Sequence, residues 1–158
     1  MKVTFIQPYY HNVWEALGVG YIIGSLKDNY QGELEVDFYQ GYFDKNFDIM
    51  NGAKDSDIIF FSCTSPAYKH GIKLAQWFKG HNKDIHIVFG GWHPTALPVD
   101  VLTESCVDQV VIGEGEAAVL RIVGGERQPI IRGSAVHLNH LRWPDRKAIK
   151  NERTIDLC

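Results

Sequence analysis

The sequence predicts an α/β protein, a doubly wound and mainly parallel sheet of five strands. Three observations carry that expectation. Short apolar or alternating runs recur along the chain, as at Asp57–Ser62 and Ile85–Phe89. Stretches of helical period separate them, and each strand closes in a turn rich in glycine, proline or small hydroxyls. Strand and helix in alternation imply crossover connections, and these build a parallel sheet with helices on both faces. For five strands the flavodoxin-like order is the natural expectation.

Val3–Gln7 opens the chain as a β-prone run and ends at the Pro8-Tyr9-Tyr10-His11-Asn12 loop. Glu15–Tyr30 reads as a helix, with Leu17, Tyr21, Ile22, Leu26 and Tyr30 near helical spacing. Gly18, Gly20 and Gly24 interrupt it, each at a cost of about 1 kcal/mol against alanine. Gly20 and Gly24 lie four apart on one face, which predicts close packing on the sheet. Leu34–Tyr39 alternates as a second strand, and Gln40–Ala53 is an aromatic, acidic loop with a helical stretch. Asp57–Ser62 is nearly continuous apolar, as a central parallel strand requires. Tyr68–Lys79 is an amphipathic helix, with Ile72, Ala75 and Phe78 or Trp77 turned inward. Ile85–Phe89 is the next strand, followed by a short helix at Val99–Glu104. Asp108–Ile112 and Ala117–Val123 form a last strand and helix, and Pro129–Ile131 suits an edge, where proline is tolerated. From Val136 the pattern weakens. The expected organisation is a domain over residues 1–135 and a linker or C-terminal extension over 136–158.

Composition narrows the function. A chain of 158 residues with 45% hydrophobic and 22% charged residues can bury a real core. A formal charge of −3 gives no electrostatic ground for binding nucleic acid or an anionic membrane. The three cysteines are scattered, without Cys-x-x-Cys or zinc spacing, which favours a reduced cytoplasmic setting and no metal site of that kind. Neither a signal peptide nor a membrane-length apolar run is legible.

The stretch Val88 to Thr95 is the organising element. Gly90 and Gly91 remove side chains where a strand ends, so the backbone can turn sharply or something large can approach it. A tight turn alone is the plainer explanation. Trp92, His93, Pro94 and Thr95 then form a part-aromatic, part-polar lip. In open α/β sheets ligands sit at the carboxyl ends of strands. Four loops would gather there: Pro8–Asn12, Ser62–Pro66, Gly90–Thr95 and Gly113–Glu116.

That rim lacks the parts for several chemistries. Gly18-Val-Gly20-Tyr-Ile-Ile-Gly24 has the wrong spacing for a dinucleotide fingerprint and does not directly follow the strand. The acids of a phosphoacceptor receiver are missing, and Pro8-Tyr9-Tyr10-His11 is too bulky for a flavin phosphate loop. There is no Walker loop, nucleophile elbow or HExxH. What remains is glycines, the hydroxyls of Ser62, Thr64, Ser65 and Thr95, the faces of Tyr9, Tyr10 and Trp92, and one lip imidazole, His93. This set suits a broad, flat ligand with amides and one phosphate. Glu114 and Glu116 could accept hydrogen bonds from it or cap the following helix. Ser62 and Thr64 could simply end a strand. Cys63 reads as a small buried hydrophobe, and no catalytic residue is assigned.

Several blocks, taken together and in order, resemble a known family. They are Pro8-Tyr9, Ala16–Ile22, Ser62-Cys63-Thr64-Ser65-Pro66, Gly90–Pro98 and Gly113-Glu114-Gly115-Glu116. The likeness is to the Rossmann-like cobalamin-binding domain that precedes the barrel of cobalamin-dependent radical S-adenosylmethionine enzymes. Leu141-Arg142-Trp143-Pro144-Asp145-Arg146 is similar to that family's linker. The resemblance implies cobalamin at the strand carboxyl ends, its nucleotide tail in a groove of the rim and its dimethylbenzimidazole off the cobalt. The implied contacts are Pro8, Tyr9, Gly18, Ser62, Thr64, Ser65, Gly90 to Thr95 and Gly113 to Glu116. Asp-x-His-x-x-Gly, whose histidine replaces the base in methionine synthase and the mutases, is absent, and His93 is not assigned to cobalt. Cys-x-x-x-Cys-x-x-Cys is also absent. Thiolates would hold the family's cluster, so cleavage of S-adenosylmethionine is expected of a barrel carried elsewhere, by a partner or by the remainder of a longer enzyme. The alternatives are an interaction or sensory domain of the same fold that binds no cobalamin, and a small hydrolase without a convincing nucleophile–base pair.

Overall fold

The computed structural model describes residues 1–11, 15–134 and 143–149. The elements run β1 (Lys2–Gln7), α1 (Leu17–Asn29), β2 (Glu35–Gln40), α2 (Asn46–Ala53), β3 (Ile58–Ser62), α3 (Ser65–His81), β4 (His86–Gly90), α4 (Trp92–Ala96), α5 (Pro98–Leu102), β5 (Gln109–Ile112), α6 (Glu116–Val123) and β6 (Ile130–Arg132). The sheet order is β2-β1-β3-β4-β5-β6, with every pair parallel. The flavodoxin-like expectation holds for the first five strands. The correction is one of number: the Pro129 segment adds a sixth strand, paired through Val110–Ile130 to Ile112–Arg132. Proline is tolerated because it stands just before that strand, at the sheet edge.

The sheet is covered on both faces, and strand alternation sorts the core accordingly. Val3, Phe5, Ile58, Phe60, Val88 and Val111 face α1 and α6. Ile6, Ile59, Phe61, Ile87, Phe89 and Val110 face α2, α3 and α5. Phe5 stacks on Phe60 at 5.0 Å and Phe61 on Phe89 at 4.7 Å, one pair on each side. On α3, Phe78 is the inward aromatic, fully buried, whereas Trp77 is 38% exposed.

The glycine face of α1 has a different partner from the one expected. Gly20 and Gly24 meet the segment 143–149, not the sheet. A Cβ on Gly20 would lie 3.1 Å from Pro144 Cβ, and one on Gly24 would lie 3.2 Å from the Trp143 carbonyl oxygen. With side chains absent, the helix backbone is open, and the Asp145 N–H donates to the Gly20 carbonyl at 3.0 Å. Lys27 pairs with Asp145 at 2.8 Å, and Arg146 with Glu15 at 3.2 Å. Burial alone would raise the Asp145 carboxyl. The Lys27 ammonium and the N–H groups of Ala148 and Lys147 outweigh it and hold the carboxyl below its ordinary range. Ile149 is 1% exposed and joins the α1–α6 side of the core. Leu141, Arg142 and the rest of the expected extension lie outside the described residues.

This packing makes two glycines of one helix respond oppositely. Gly20→Val should destabilise the protein by about 1–3 kcal/mol by displacing residues 143–149. Gly18→Ala, whose Cβ meets nothing within 4 Å, should stabilise the cofactor-free protein by roughly 0.5–1 kcal/mol. Urea unfolding of the two variants measures both; equal effects would refute the docked arrangement.

Candidate functional site

The carboxyl ends of the strands form the rim, and hydrogen bonds stitch its loops together. At its centre is Cys63, just past β3. The Cys63 N–H donates to the Gly90 carbonyl at 2.9 Å, and its own carbonyl accepts from the His93 N–H at 3.1 Å. Gly91 lies between, at φ 95°, with its missing Cβ only 2.8 Å from the Cys63 carbonyl oxygen. Any larger residue would collide with backbone, so this glycine serves the fold first. Gly90 differs: a Cβ there would meet nothing nearer than Val111 Cβ at 3.6 Å. Cys63 itself is buried, and burial pushes its thiol well above the usual range.

The lip is a helical turn. Trp92, His93, Pro94 and Thr95 fall in α4, where a loop was expected. Trp92 projects outward, 84% exposed, and Pro94 is buried. His93 is held from three sides: backbone to Cys63, Nδ1 to the Ser65 hydroxyl at 3.0 Å, and ring against Tyr68 at 4.1 Å. Burial, reinforced by the Glu104 carboxylate, pushes the Tyr68 phenol up to about 12. Tyr68 therefore presents a neutral ring to the imidazole. Thr95 Oγ1 accepts the Gly113 N–H at 3.1 Å and joins the β4 and β5 loops. Gly113 adopts φ 80°. Gly115 packs against Ile22 of α1, whose terminal methyl would have to shift to admit a Cβ. Glu114 is exposed, while Glu116 opens α6 with its Oε2 buried and without a hydrogen-bond partner. Gly18 is exposed in the first turn of α1, to the side of these loops.

The β1 loop is fixed by a residue that sequence reading passed over. His70 Nδ1 accepts the Tyr9 N–H at 2.8 Å, and His70 Nε2 meets Asn46 Oδ1 at 2.9 Å. A ring nitrogen that accepts an amide proton carries none itself, so the Nε2–H tautomer is fixed and donates to Asn46. Pro8 is buried, and Tyr9, half-exposed, stacks on Tyr42 at 6.4 Å. Nothing in the periodicity of α3 separates His70 from an ordinary exposed histidine. Gln7 was missed as well. Its Oε1 is buried without a hydrogen-bond partner. The available signal was an amide closing an otherwise apolar strand.

Between the carboxyl ends of β1 and β3 lies a cleft of about 30 Å³, bordered by Gln7, Pro8, Tyr10, Gln40, Ser62 and Thr64. It stands where the strand order reverses, the position at which open α/β sheets receive ligands. Thr64 caps α3 without engaging its side chain, so its hydroxyl is left for the rim. No group of His, Cys, Asp and Glu among the described residues could hold a bare metal ion. Among them, too, no helix is long and apolar enough to cross a membrane.

Such a molecule is an α/β module with a stitched, shallow rim at the carboxyl ends of its strands. Its family is narrower: residues 8–123 match the model of the B12 binding domain, and the chain belongs to that family. It is a cobalamin-binding module, and cobalamin is its cofactor. Among solved structures, the N-terminal domain of the hypothetical protein TM0182 of Thermotoga maritima is similar in fold, with a TM-score of 0.53 and 20% identity over 78% of this chain and 94% of that one. No curated protein matches. The rim is consistent with such a cofactor. It offers an open glycine at Gly90, an exposed indole, hydroxyls and the unsatisfied Gln7 amide oxygen, and its cleft is too small for a ring system to enter.

The histidine contacts set a pH dependence. Burial, with the Lys73 ammonium adding to it, lowers the His70 imidazole below its ordinary value, and burial likewise lowers His86. The unfolded chain therefore takes up these protons first, so stability is lost as pH falls below about 6.5. Unfolding between pH 7 and 5 should show this loss, and His70→Gln should shallow it. An unchanged slope in that variant would remove His70 from the account.

Proposed function

We propose that the chain is the cobalamin-carrying domain of a radical S-adenosylmethionine system of the methyltransferase type. In this reading a barrel bearing the iron–sulfur cluster, on a partner or on the remainder of a longer polypeptide, performs the radical step, and the present chain alone is not catalytic. The reading rests chiefly on the segment that ends the described residues. Its Pro144-Asp145-Arg146 is similar to the end of that family's linker. Its seat on α1 would set the barrel's starting point relative to the cofactor rim. The order of the rim blocks supports the same reading, as does the absence of Asp-x-His-x-x-Gly. A cytoplasmic location goes with it.

Within this reading Gly90, Gly91 and Trp92 form the shelf for the corrin. Ser62, Thr64, Ser65 and Thr95 offer hydroxyls to its periphery, with Pro8, Tyr9 and Gly18 on one side and Gly113 to Glu116 on the other. Pro94 and His93 hold the shelf in shape, because His93 is already engaged by Ser65 and Tyr68. Bound cobalamin would supply a cobalt centre able to carry a methyl group. The chain's own task is to bind and orient that cofactor.

The test is spectroscopic. After incubation with hydroxocobalamin and gel filtration, the protein should carry the cofactor's visible absorbance. Reduced to the cobalt(II) form, it should show an electron paramagnetic resonance signal without nitrogen superhyperfine splitting, unchanged in His93→Ala. A nitrogen triplet lost in His93→Ala would place the chain with the histidine-ligated cobalamin proteins instead.

A further inference from the structure

We propose that the cleft between β1 and β3 is a subsite for one neutral carboxamide of the cofactor's periphery, read by Gln7. The proposal rests on cobalamin binding and adds a specificity-determining residue to it. Four observations converge on it.

The first is the unsatisfied amide. The buried amide of Gln109 is treated quite differently. Gln109 Nε2 donates to the Glu126 and Gln128 carbonyls, and its Oε1 pairs with His86 Nε2. That group, at the opposite end of the sheet, is saturated. The Gln7 Oε1 is buried with no partner, and leaving such a group unpaired costs about 1–3 kcal/mol. Buried polar groups are normally paired, so an orphan on a residue that lines a cleft marks a place for an external partner, reached by a small turn of the side chain.

The second is charge. The residues bordering the cleft are Gln7, Gln40, two tyrosines, Ser62 and Thr64, with Pro8 and Ala67 completing it. None is an aspartate, glutamate, lysine, arginine or histidine. A carboxylate or phosphate would enter without a counter-charge and lose its hydration, which is strongly unfavourable. A primary carboxamide is neutral and both donates and accepts. The third is size. At about 30 Å³ the cleft holds one small polar group and not a ring. The fourth is position. Gln7 ends β1 beside Gln40 of β2 in the parallel register, at the reversal of strand order. A flat ligand lying across the rim would bring its edge substituents there.

A carboxamide N–H would donate to Gln7 Oε1, and the Ser62 or Thr64 hydroxyl would serve its carbonyl. A single trapped water is the competing occupant. The full chain, titrated with hydroxocobalamin and with its individual monocarboxylic acids, each having one carboxamide hydrolysed, separates the two. Gln7→Leu should weaken hydroxocobalamin binding about tenfold, the worth of roughly one net hydrogen bond. Its melting temperature without cofactor should not fall, since an apolar side chain replaces an unpaired amide. On the wild type, one monocarboxylic isomer should bind at least tenfold more weakly than the others, and that discrimination should vanish in Gln7→Leu. The isomer comparison needs only the wild-type protein and so stands even if the variant folds poorly. Equal binding by wild type and Gln7→Leu, or no discrimination among isomers, would leave the cleft to water and overturn the subsite alone. A wild-type chain that takes up no cobalamin would instead remove the cofactor reading and the subsite with it.

Discussion

The close packing of backbone and small residues around Cys63 is the constraint from which the rim follows. Gly91 stands against its carbonyl, with φ 95°, and Gly71 of α3 brings its own missing Cβ within 3.0 Å of the thiol and 3.1 Å of Pro8 Cγ. Three chain segments, from β1, α3 and β4, therefore meet where side chains are absent. The result is direct backbone hydrogen bonding between Cys63 and both Gly90 and His93. That seating fixes the starts of α3 and α4. It thereby brings the Ser65 hydroxyl to His93 and Thr95 to Gly113. A methyl group at Gly91 would have to move backbone, not merely rotate a neighbour, so the conformation of the whole lip depends on it.

Much of this was legible in the sequence because buried parallel strands leave a strong trace. The apolar runs Asp57–Ser62 and Ile85–Phe89 are read directly as strands, which the structure places at Ile58–Ser62 and His86–Gly90, and alternation along them divides the residues between two faces. The loops that gather at the rim follow from topology alone. The contents of the contacts do not. Gly20 and Gly24 declare that something packs closely on α1, but period and spacing cannot say what. The partner lies more than a hundred residues away, as the Lys27–Asp145 pair shows, and local pattern carries no information at that range. His70 was hidden for a related reason: its importance lies in an acceptor nitrogen aimed at the Tyr9 backbone, a tertiary relation with no sequence signature. The helical turn at Trp92–Ala96 was obscured by Pro94. Proline is tolerated in the first turn of a helix, where its missing N–H has no intrahelical partner in any case.

The histidines illustrate why position in the fold outranks spelling. Asp84-Ile85-His86 begins like the histidine motif of other cobalamin proteins but lacks its glycine. The structure puts His86 at the amino end of β4, beside Gln109 and within 3.8 Å of Asp108. That is the far end of the sheet from the rim. There it belongs to a saturated network in which Lys79 Nζ donates to the Ile85 carbonyl and Asp108, and Asp108 accepts the Ile87 N–H. Of the histidines near the rim, His70 and His93 each have a ring nitrogen and a backbone partner already committed to holding loops. Both act as struts in the structure, and a strut that must keep its contacts is poorly placed to swing toward a metal.

Helix α1 joins the two regions with the greatest bearing on function. Its first turn, with Gly18 exposed, opens beside the rim, and its glycine face receives the segment 143–149. The contacts of that segment are not confined to surface charge. One backbone hydrogen bond reaches the helix itself, and Ile149 is buried in the core behind it. Exposed ion pairs alone would hold such a segment weakly, by about 1 kcal/mol or less each. Burial of an isoleucine side chain adds about 1.5–3 kcal/mol. The segment 143–149 is therefore anchored at a defined place on the helix that also borders the rim. Displacement of that helix would be felt at the rim and at residues 143–149 together.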